Sequence, residues 1–274
     1  MDLHLKRGKM KLTIVTPSYN QGRFIERTFQ GILNQELNFE LEYILADAVS
    51  TDNTAKIVKK YIPKFKRVGI DFIYISEKDK GQSDGINKGW KIATGDIITY
   101  INSDDYYEPK VLDKVTDFFK QNPSIKWAYG GGNLVNKKGK IYKSVQPKKY
   151  SRVKLLNYCN IGQPSCFFRR ELLDEFGMLD QNLHLAMDYD LWLKFASKYN
   201  AGILDFVVSN MRYYADAKSG LRTREQLIES LRLGNAYTKP FSWRRACQYY
   251  YFLRGIAIVV TKLDITKRIE RKCK

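Results

Sequence analysis

DFIYISEKDKGQSDGINKGWKIATGDIITYINSDD, residues 71–105, decides how the rest of the chain is read. Asp71–Ser76 is a short β-branched and aromatic run, which is a strand signal. The loop EKDKGQSDG leads into a helix expected through Asn87–Ala93. Asp96–Ile101 (DIITYI) is the next strand, closed by the polar turn Asn102-Ser-Asp-Asp105. The same cadence runs upstream. Lys11–Thr16 is a strand ending in a turn that holds Pro17, Tyr19, Asn20 and Gly22, and Phe24, Ile25, Phe29, Ile32 and Leu33 then recur at helical spacing. Leu41–Leu45 is a second strand. Ser50, Thr51 and Asp52 are candidate caps for a helix carrying Ile57, Val58, Tyr61 and Ile62, which Pro63 is expected to stop. Strands alternating with helices in this way imply parallel βαβ units in an α/β open sheet.

Downstream the pattern is less regular. Trp127–Asn133 reads as a strand with a glycine bend, and Cys166–Arg169 as a short strand before a helix, Glu171–Phe176, closed by Gly177. Met187–Tyr199 reads as a helix with Leu191, Phe195 and Tyr199 on one face and Asp188 and Asp190 in its first turn. Gly202–Tyr214 alternates as one or two strands.

The 274 residues suit one core of roughly 200–250 residues plus an appendage. With 44% hydrophobic and 28% charged residues, wholesale disorder is excluded. Lys and Arg (47) outnumber Asp and Glu (29), and a net +18 calls for an anionic partner. The only histidines are His4 and His184, so a His-rich zinc site is ruled out and a Ser-His-Asp device would rest on His184. Four cysteines without CxxC spacing read as reduced cytosolic thiols. No run approaches the ~20 apolar residues of a membrane span, and the N-terminus lacks an apolar signal core. The expected location is therefore cytoplasmic. From about Lys239 ten bases face only Asp264 and Glu270, interleaved with Trp243, Tyr249, Tyr250, Tyr251 and Phe252. That composition suits a helix lying on an anionic membrane, peripheral on the inner face of the plasma membrane; the alternative is aromatics packed onto the domain with solvated bases.

In open α/β sheets ligands bind beyond the carboxyl ends of the strands. Four loops are placed there: Pro17–Gly22, Asp47–Asp52, Glu77–Asp84 and Asn102–Asp105. One carboxylate in such a loop is usually a helix cap. Asp47, Asp79, Asp104 and Asp105 converging on one edge would repel unless a cation sat among them, which points to Mg2+ or Mn2+.

Four blocks in this order resemble glycosyltransferase family 2, of the GT-A fold: TIVTPSYNQGRFIERTFQGILNQ, EYILADAVSTDNT, EKDKGQSDGINKGWKIATGDIITYINSDD and IGQPSCFFRRELLDEFGMLDQNLHLAMDYDLWLKFA. The resemblance covers roughly residues 12–219. It implies a Rossmann-like, mostly parallel sheet flanked by helices. A GT-A domain over 1–220 would divide into a nucleotide-binding half (about 11–105) and an acceptor half (about 106–220), followed by a basic helical extension over 221–274. It further implies an inverting, metal-dependent transferase moving a sugar from a nucleotide-sugar, by family habit UDP-linked, to a glycan or lipid-linked acceptor. By the same resemblance, Thr16, Pro17, Tyr19 and Asp47 would hold the nucleobase and ribose, and Asp79 would complete the nucleoside pocket. Asp104 and Asp105 would orient the ribose side and bind the metal on the diphosphate, and Asp188 would be the general base. The arrangement suits one displacement at an anomeric carbon, with a Lewis acid at the leaving group and a carboxylate taking the proton of the attacking hydroxyl.

Two departures stand out. Asn102 occupies the first position of the usual D-x-D, and Tyr214 stands where many relatives carry His. Arg212, Lys218 or Ser219 would have to compensate, while Lys80, Lys88 and Arg169 are candidate bases for the diphosphate against the commoner role of a solvated surface base. The competing classes are a catalytically inactive nucleotide-sugar-binding homologue and a nucleic-acid-binding protein. An acidic ligand edge speaks against the latter, and no nucleic-acid partner is expected. A nucleotidylyltransferase would need a Gly-rich loop after the first strand, which TPSYNQGRF does not supply.

Overall fold

The computed structural model describes residues 9–214 and 222–272, with side chains as far as residue 261. His4, Lys218, Ser219, Cys273 and the bases beyond Thr261 lie outside that description. The first half repeats strand and helix: β1 (Lys11–Ser18), α1 (Ile25–Leu33), β2 (Glu40–Asp47), α2 (Thr54–Arg67), β3 (Asp71–Ser76), α3 (Gln82–Ile92) and β4 (Ile97–Tyr100). β3, β2, β1 and β4 lie side by side and are all parallel. The central residues of β1, β2 and β4 are buried on both faces, as the continuous apolar runs require, while those of the edge strand β3 are half-buried.

The second half comprises β5 (Tyr106–Tyr107), α4 (Leu112–Gln121), β6 (Trp127–Val135), β7 (Ile141–Val145), α5 (Arg152–Asn157), β8 (Cys166–Arg169), α6 (Glu171–Phe176), α7 (Met187–Lys198) and β9 (Gly202–Arg212). Here the sheet becomes mixed. β8 sits antiparallel between β4 and β6, β9 runs parallel to β6, β5 closes the edge antiparallel to β9, and β7 pairs off the main path with β6. The expected glycine bend is a register shift at Gly131 and Gly132 in the β6–β9 pair. Among the described residues two helices follow, α8 (Thr223–Ala236) and α9 (Trp243–Lys272). Among the described residues no helix is long and apolar enough to cross a membrane. Cys159, Cys166 and Cys247 are free thiols.

The sheet separates two apolar layers. On one side Phe29, Phe65 and Phe119 of α1, α2 and α4 pack onto Ile14 and Leu45. On the other, Trp90 and Trp192 of α3 and α7 pack with Phe168 and Trp127, the Trp127 and Trp192 rings stacking at 6.0 Å.

One expectation fails here: Pro63 does not stop α2, which continues to Arg67. A mid-helix proline forfeits a hydrogen bond and crowds the preceding turn. The helix persists because Tyr61 and Phe65, on either side of Pro63, are buried in an aromatic cluster with Phe29 and Phe72. Asp52 acts as expected at the other end, accepting from the Thr54 amide (2.9 Å) and hydroxyl (2.5 Å).

Candidate active site

A cleft of about 680 Å³ opens at the carboxyl ends of the parallel strands, where the open-sheet rule places a ligand. Of the residues singled out from sequence, Pro17, Tyr19, Asp79, Asp104, Asp105 and Asp188 line it. Thr16 and Asp47 do not. Thr16 is fully buried, and Asp47 is 2% exposed and folded onto its own loop, accepting from the Ser50 amide (2.8 Å) and hydroxyl (2.5 Å). That loop is tied to the β1 turn, because the Ser50 hydroxyl accepts from the Asn20 amide (2.8 Å) and the Asn20 side chain accepts from the Thr51 amide (2.8 Å).

Asp104 and Asp105 follow β4. The Asp104 carboxylate accepts from the Tyr214 hydroxyl (3.1 Å), so the tyrosine standing in the histidine position still reaches the acidic motif. Burial pushes the Asp104 carboxyl up; Tyr214, Arg212 and Arg23 pull against it without cancelling it. Asp105 is raised well above the ordinary carboxylate range, first by burial and then by the charge on Asp104. Both Asp105 oxygens are engaged, one by the Arg212 amide (2.7 Å) and the other by the Asn102 side chain (3.3 Å). Burial and the Asp104 carboxylate together push the Tyr214 phenol up to about 12. Arg212, one of the expected substitutes for the histidine, sends its guanidinium to the carbonyls of Asp104, Asn136 and Lys137.

Asp79 lies after β3. Burial raises its carboxyl, although the Gly81 amide donates to it at 3.0 Å. A Cβ at Gly85 would stand 2.9 Å from the Asp79 carboxylate, so glycine in the first turn of α3 is what lets helix and acid approach.

Asp188 enters the cleft from the other half, in the first turn of α7. Its carboxylate accepts from the Tyr189 amide at 2.8 Å. The segment leading into α7 is held from outside: Glu229 of α8 accepts from the amides of His184 (3.1 Å), Leu185 (2.7 Å) and Ala186 (2.6 Å). A carboxylate on the free amides before a helix satisfies donors and favours the helix dipole. Gln226, one turn earlier on α8, lines the cleft and donates to the Leu185 carbonyl (3.3 Å). Neither residue was singled out from sequence, since each lies some forty positions from its partner and looks like part of a solvated helix face. His184 lines the cleft as a wall residue, and Asp190 pairs with Lys194 (2.7 Å) away from it.

Arg169 is not a diphosphate base. Its guanidinium donates to the Ile125 and Phe119 carbonyls (both 2.9 Å), tying β8 to the end of α4. Lys88 is likewise occupied, by the Lys78 carbonyl (2.6 Å) and the Glu77 carboxylate (3.6 Å).

Among the described residues no group of three or more His, Cys, Asp or Glu side chains is placed to hold a metal ion. The described residues therefore offer no all-protein cage. What they offer is a desolvated carboxylate, Asp104, whose charged form the protein alone does not fully stabilise. That donor set fits a hard divalent cation held by one carboxylate and completed by diphosphate oxygens.

Residues 13–177, more than half of the chain, match the family model described as Glycosyl transferase family 2. The UDP-Glc:alpha-D-GlcNAc-diphosphoundecaprenol beta-1,3-glucosyltransferase WfgD of Escherichia coli is 28% identical over 92% of this chain and 94% of its own length. Among solved structures, a mannosyltransferase from Pyrobaculum calidifontis in complex with GDP-Man and Mn2+ superposes with a TM-score of 0.65, at 18% identity over 94% of this chain and 76% of that one. TarS 1–349 of S. aureus in complex with UDP-GlcNAc gives 0.62, at 17% identity over 87% of this chain and 69% of that one. At such identities the two structures speak for the fold, and they agree with the mixed sheet and flanking helices described above. With the family match, the carboxyl-edge cleft and the GT-A architecture in agreement, the chain belongs to glycosyltransferase family 2 and is a glycosyltransferase.

Proposed function

We propose that this enzyme transfers a sugar, with inversion, from a UDP-linked donor to a hydroxyl of a lipid-linked or glycan acceptor in bacterial surface polysaccharide assembly. The observation that carries the reading is the placement of Asp104 and Asp188 in one cleft, from opposite halves of the fold. UDP is the nucleotide in the names of WfgD's donor and the TarS complex, and WfgD's named acceptor is diphosphoundecaprenol-linked.

In this reading Pro17 and Tyr19 of the turn after β1 hold the base and ribose, while the buried Thr16 supports that turn from behind, and Asp47 joins them as its bond to Ser50 gives way to the base N–H. Asp79 closes the nucleoside pocket. Asp104, with Asp105 bracing the turn behind it, faces the diphosphate, where a bound Mn2+ or Mg2+ would act as a Lewis acid on the leaving group. Arg23, at the cleft wall, adds positive charge on the same side. Asp188 accepts the proton of the acceptor hydroxyl from the face opposite the leaving group, which is the geometry of inversion. The C-terminal helix would rest on the anionic inner face of the membrane, since Trp243, Tyr250 and Leu253 remain 83%, 61% and 62% exposed beside the exposed Arg244 and Arg254.

Melting shifts across UDP-, GDP- and dTDP-sugars, with and without Mn2+, test the donor; the expected result is a metal-dependent shift with a UDP-sugar. Asp188→Asn should keep that shift and lower transfer by about 10²–10⁴-fold, the usual contribution of a general base. Full transfer by that variant would remove the base assignment.

A further inference from the structure

Between Asp117 and Glu171 the chain contains no Asp or Glu, while the same stretch carries twelve Lys and Arg. Lys120 and Lys126 pair with the flanking Asp117 and Glu171, and six of the remaining ten, Lys137, Lys138, Lys140, Lys143, Lys148 and Lys149, fall on the β6–β7 hairpin and the turn that follows. Lys138, Lys140, Lys143, Lys148 and Lys149 are all exposed. All five residues of β7 are exposed, so the strand stands clear of the core on both faces, whereas β6 beside it is buried. Set among the lysines, Ile141, Tyr142 and Val145 are 49%, 54% and 38% exposed. A solvated basic strand has no need of three large apolar side chains in water; a grouped exposed apolar surface marks an interaction site.

The hairpin is rigidly joined to the cleft. Leu134 of β6 lines it, and Tyr213, also a cleft residue, donates its amide to the Val135 carbonyl (2.8 Å). On the other side, Tyr158 just beyond α5 packs its ring on Tyr251 of α9 at 4.7 Å, and Gln248 of α9 donates to the Leu156 carbonyl (2.7 Å). The basic hairpin thus adjoins the mouth of the cleft, and the C-terminal helix packs on α5, the helix that follows the Lys148–Lys149 turn in the chain.

We propose that the β6–β7 hairpin and the Lys148–Lys149 turn are a docking surface for an anionic lipid bilayer, seating the mouth of the cleft against the membrane. Lysines answer the head-group charge, and Ile141, Tyr142 and Val145 enter the interfacial layer, a pairing that a soluble polyanion would not require. This goes beyond the C-terminal contact, and it does not depend on which donor or acceptor the enzyme uses.

The test uses the full chain and vesicles of phosphatidylcholine, with or without about one third phosphatidylglycerol, with inorganic polyphosphate as a soluble competitor. Lys138→Ser, Lys140→Ser and Lys143→Ser combined should weaken binding to the anionic vesicles by about fivefold per lysine, on the order of a hundredfold in all. Donor-induced melting shifts should stay unchanged, because none of these side chains lines the cleft. Ile141→Ser with Tyr142→Ser should weaken vesicle binding and leave polyphosphate binding intact. Vesicle binding unchanged in the lysine variant would overturn the proposal. So would a serine pair that leaves vesicle binding untouched, since the surface would then be a site for soluble polyanions.

Discussion

At the amino-terminal edge of the parallel strands, Glu42 of β2 is 1% exposed and fully answered. The Thr13 hydroxyl (2.6 Å), the Thr94 hydroxyl and amide (2.6 and 2.9 Å) and the Lys11 ammonium (2.9 Å) all converge on it. Burial pushes its carboxyl up, but these partners outweigh burial and hold it below the ordinary value. At the carboxyl edge Asp105 is also buried and Asp104 is half-buried, yet both are held above the ordinary value. The same strands thus carry a carboxylate whose charge the fold has satisfied and a pair whose charge it has left partly unsatisfied. In the proposed reading the difference marks where a cation would come from outside: a buried charge paired from within builds structure, and one left wanting is a candidate for an external partner.

Glu42→Gln should give the largest change, a loss of roughly 2 kcal/mol of unfolding free energy at neutral pH, read by urea denaturation. The folded carboxyl lies below its unfolded value, so the stabilisation is complete above the unfolded carboxylate range. It is lost as pH falls through the folded value. The penalty of the variant should therefore shrink on acidification; a penalty that stayed constant would mean packing, not charge, is at work.

Asp104→Asn should act with the opposite sign. Its folded carboxyl is raised, so the ligand-free protein is penalised as pH rises through that value. The variant should be more stable than the wild type without ligand near pH 8, by a margin that grows as pH rises, and should lose Mn2+-dependent donor binding. Metal binding to the wild-type protein should strengthen over the same rise in pH, because the ligand must be deprotonated. Destabilisation by Asp104→Asn would erase the contrast between the two edges.

The smallest effect sharpens the donor side. Gly85→Ala would press a methyl group on Asp79, so donor affinity should fall about tenfold, roughly 1.4 kcal/mol, by titration calorimetry. Stability should move by less than about 1 kcal/mol, since alanine suits a helix better than glycine.

The parallel half was legible because apolar runs such as Lys11–Thr16 and Leu41–Leu45 have no polar face and alternate with helical spacing. Asp71–Ser76 forms β3 with the expected bounds. The turns after those strands were legible for the same reason, and Asp79, Asp104 and Asp105 line the cleft they predicted. Helix α2 passing through Pro63 was not legible, because a buried aromatic cluster outweighed a local rule. The role of Arg169 was not legible, because a base beside a site-bearing segment looks identical whether it faces the ligand, solvent or, as here, the backbone carbonyls of Ile125 and Phe119.

Local pattern was enough to set the βαβ half, the acidic rim and the family, since hydrophobic period and turn chemistry act over neighbours a few residues apart. Folding in three dimensions was needed to insert β8 antiparallel between β4 and β6, to bring Asp188 across from Asp104, and to set Glu229 on the amides before α7. It also assigned opposite protonation biases to Glu42 and to the Asp104–Asp105 pair. Burial, hydrogen-bond partners and long-range charge are properties of the surroundings a residue acquires, and residues distant along the chain supply those surroundings.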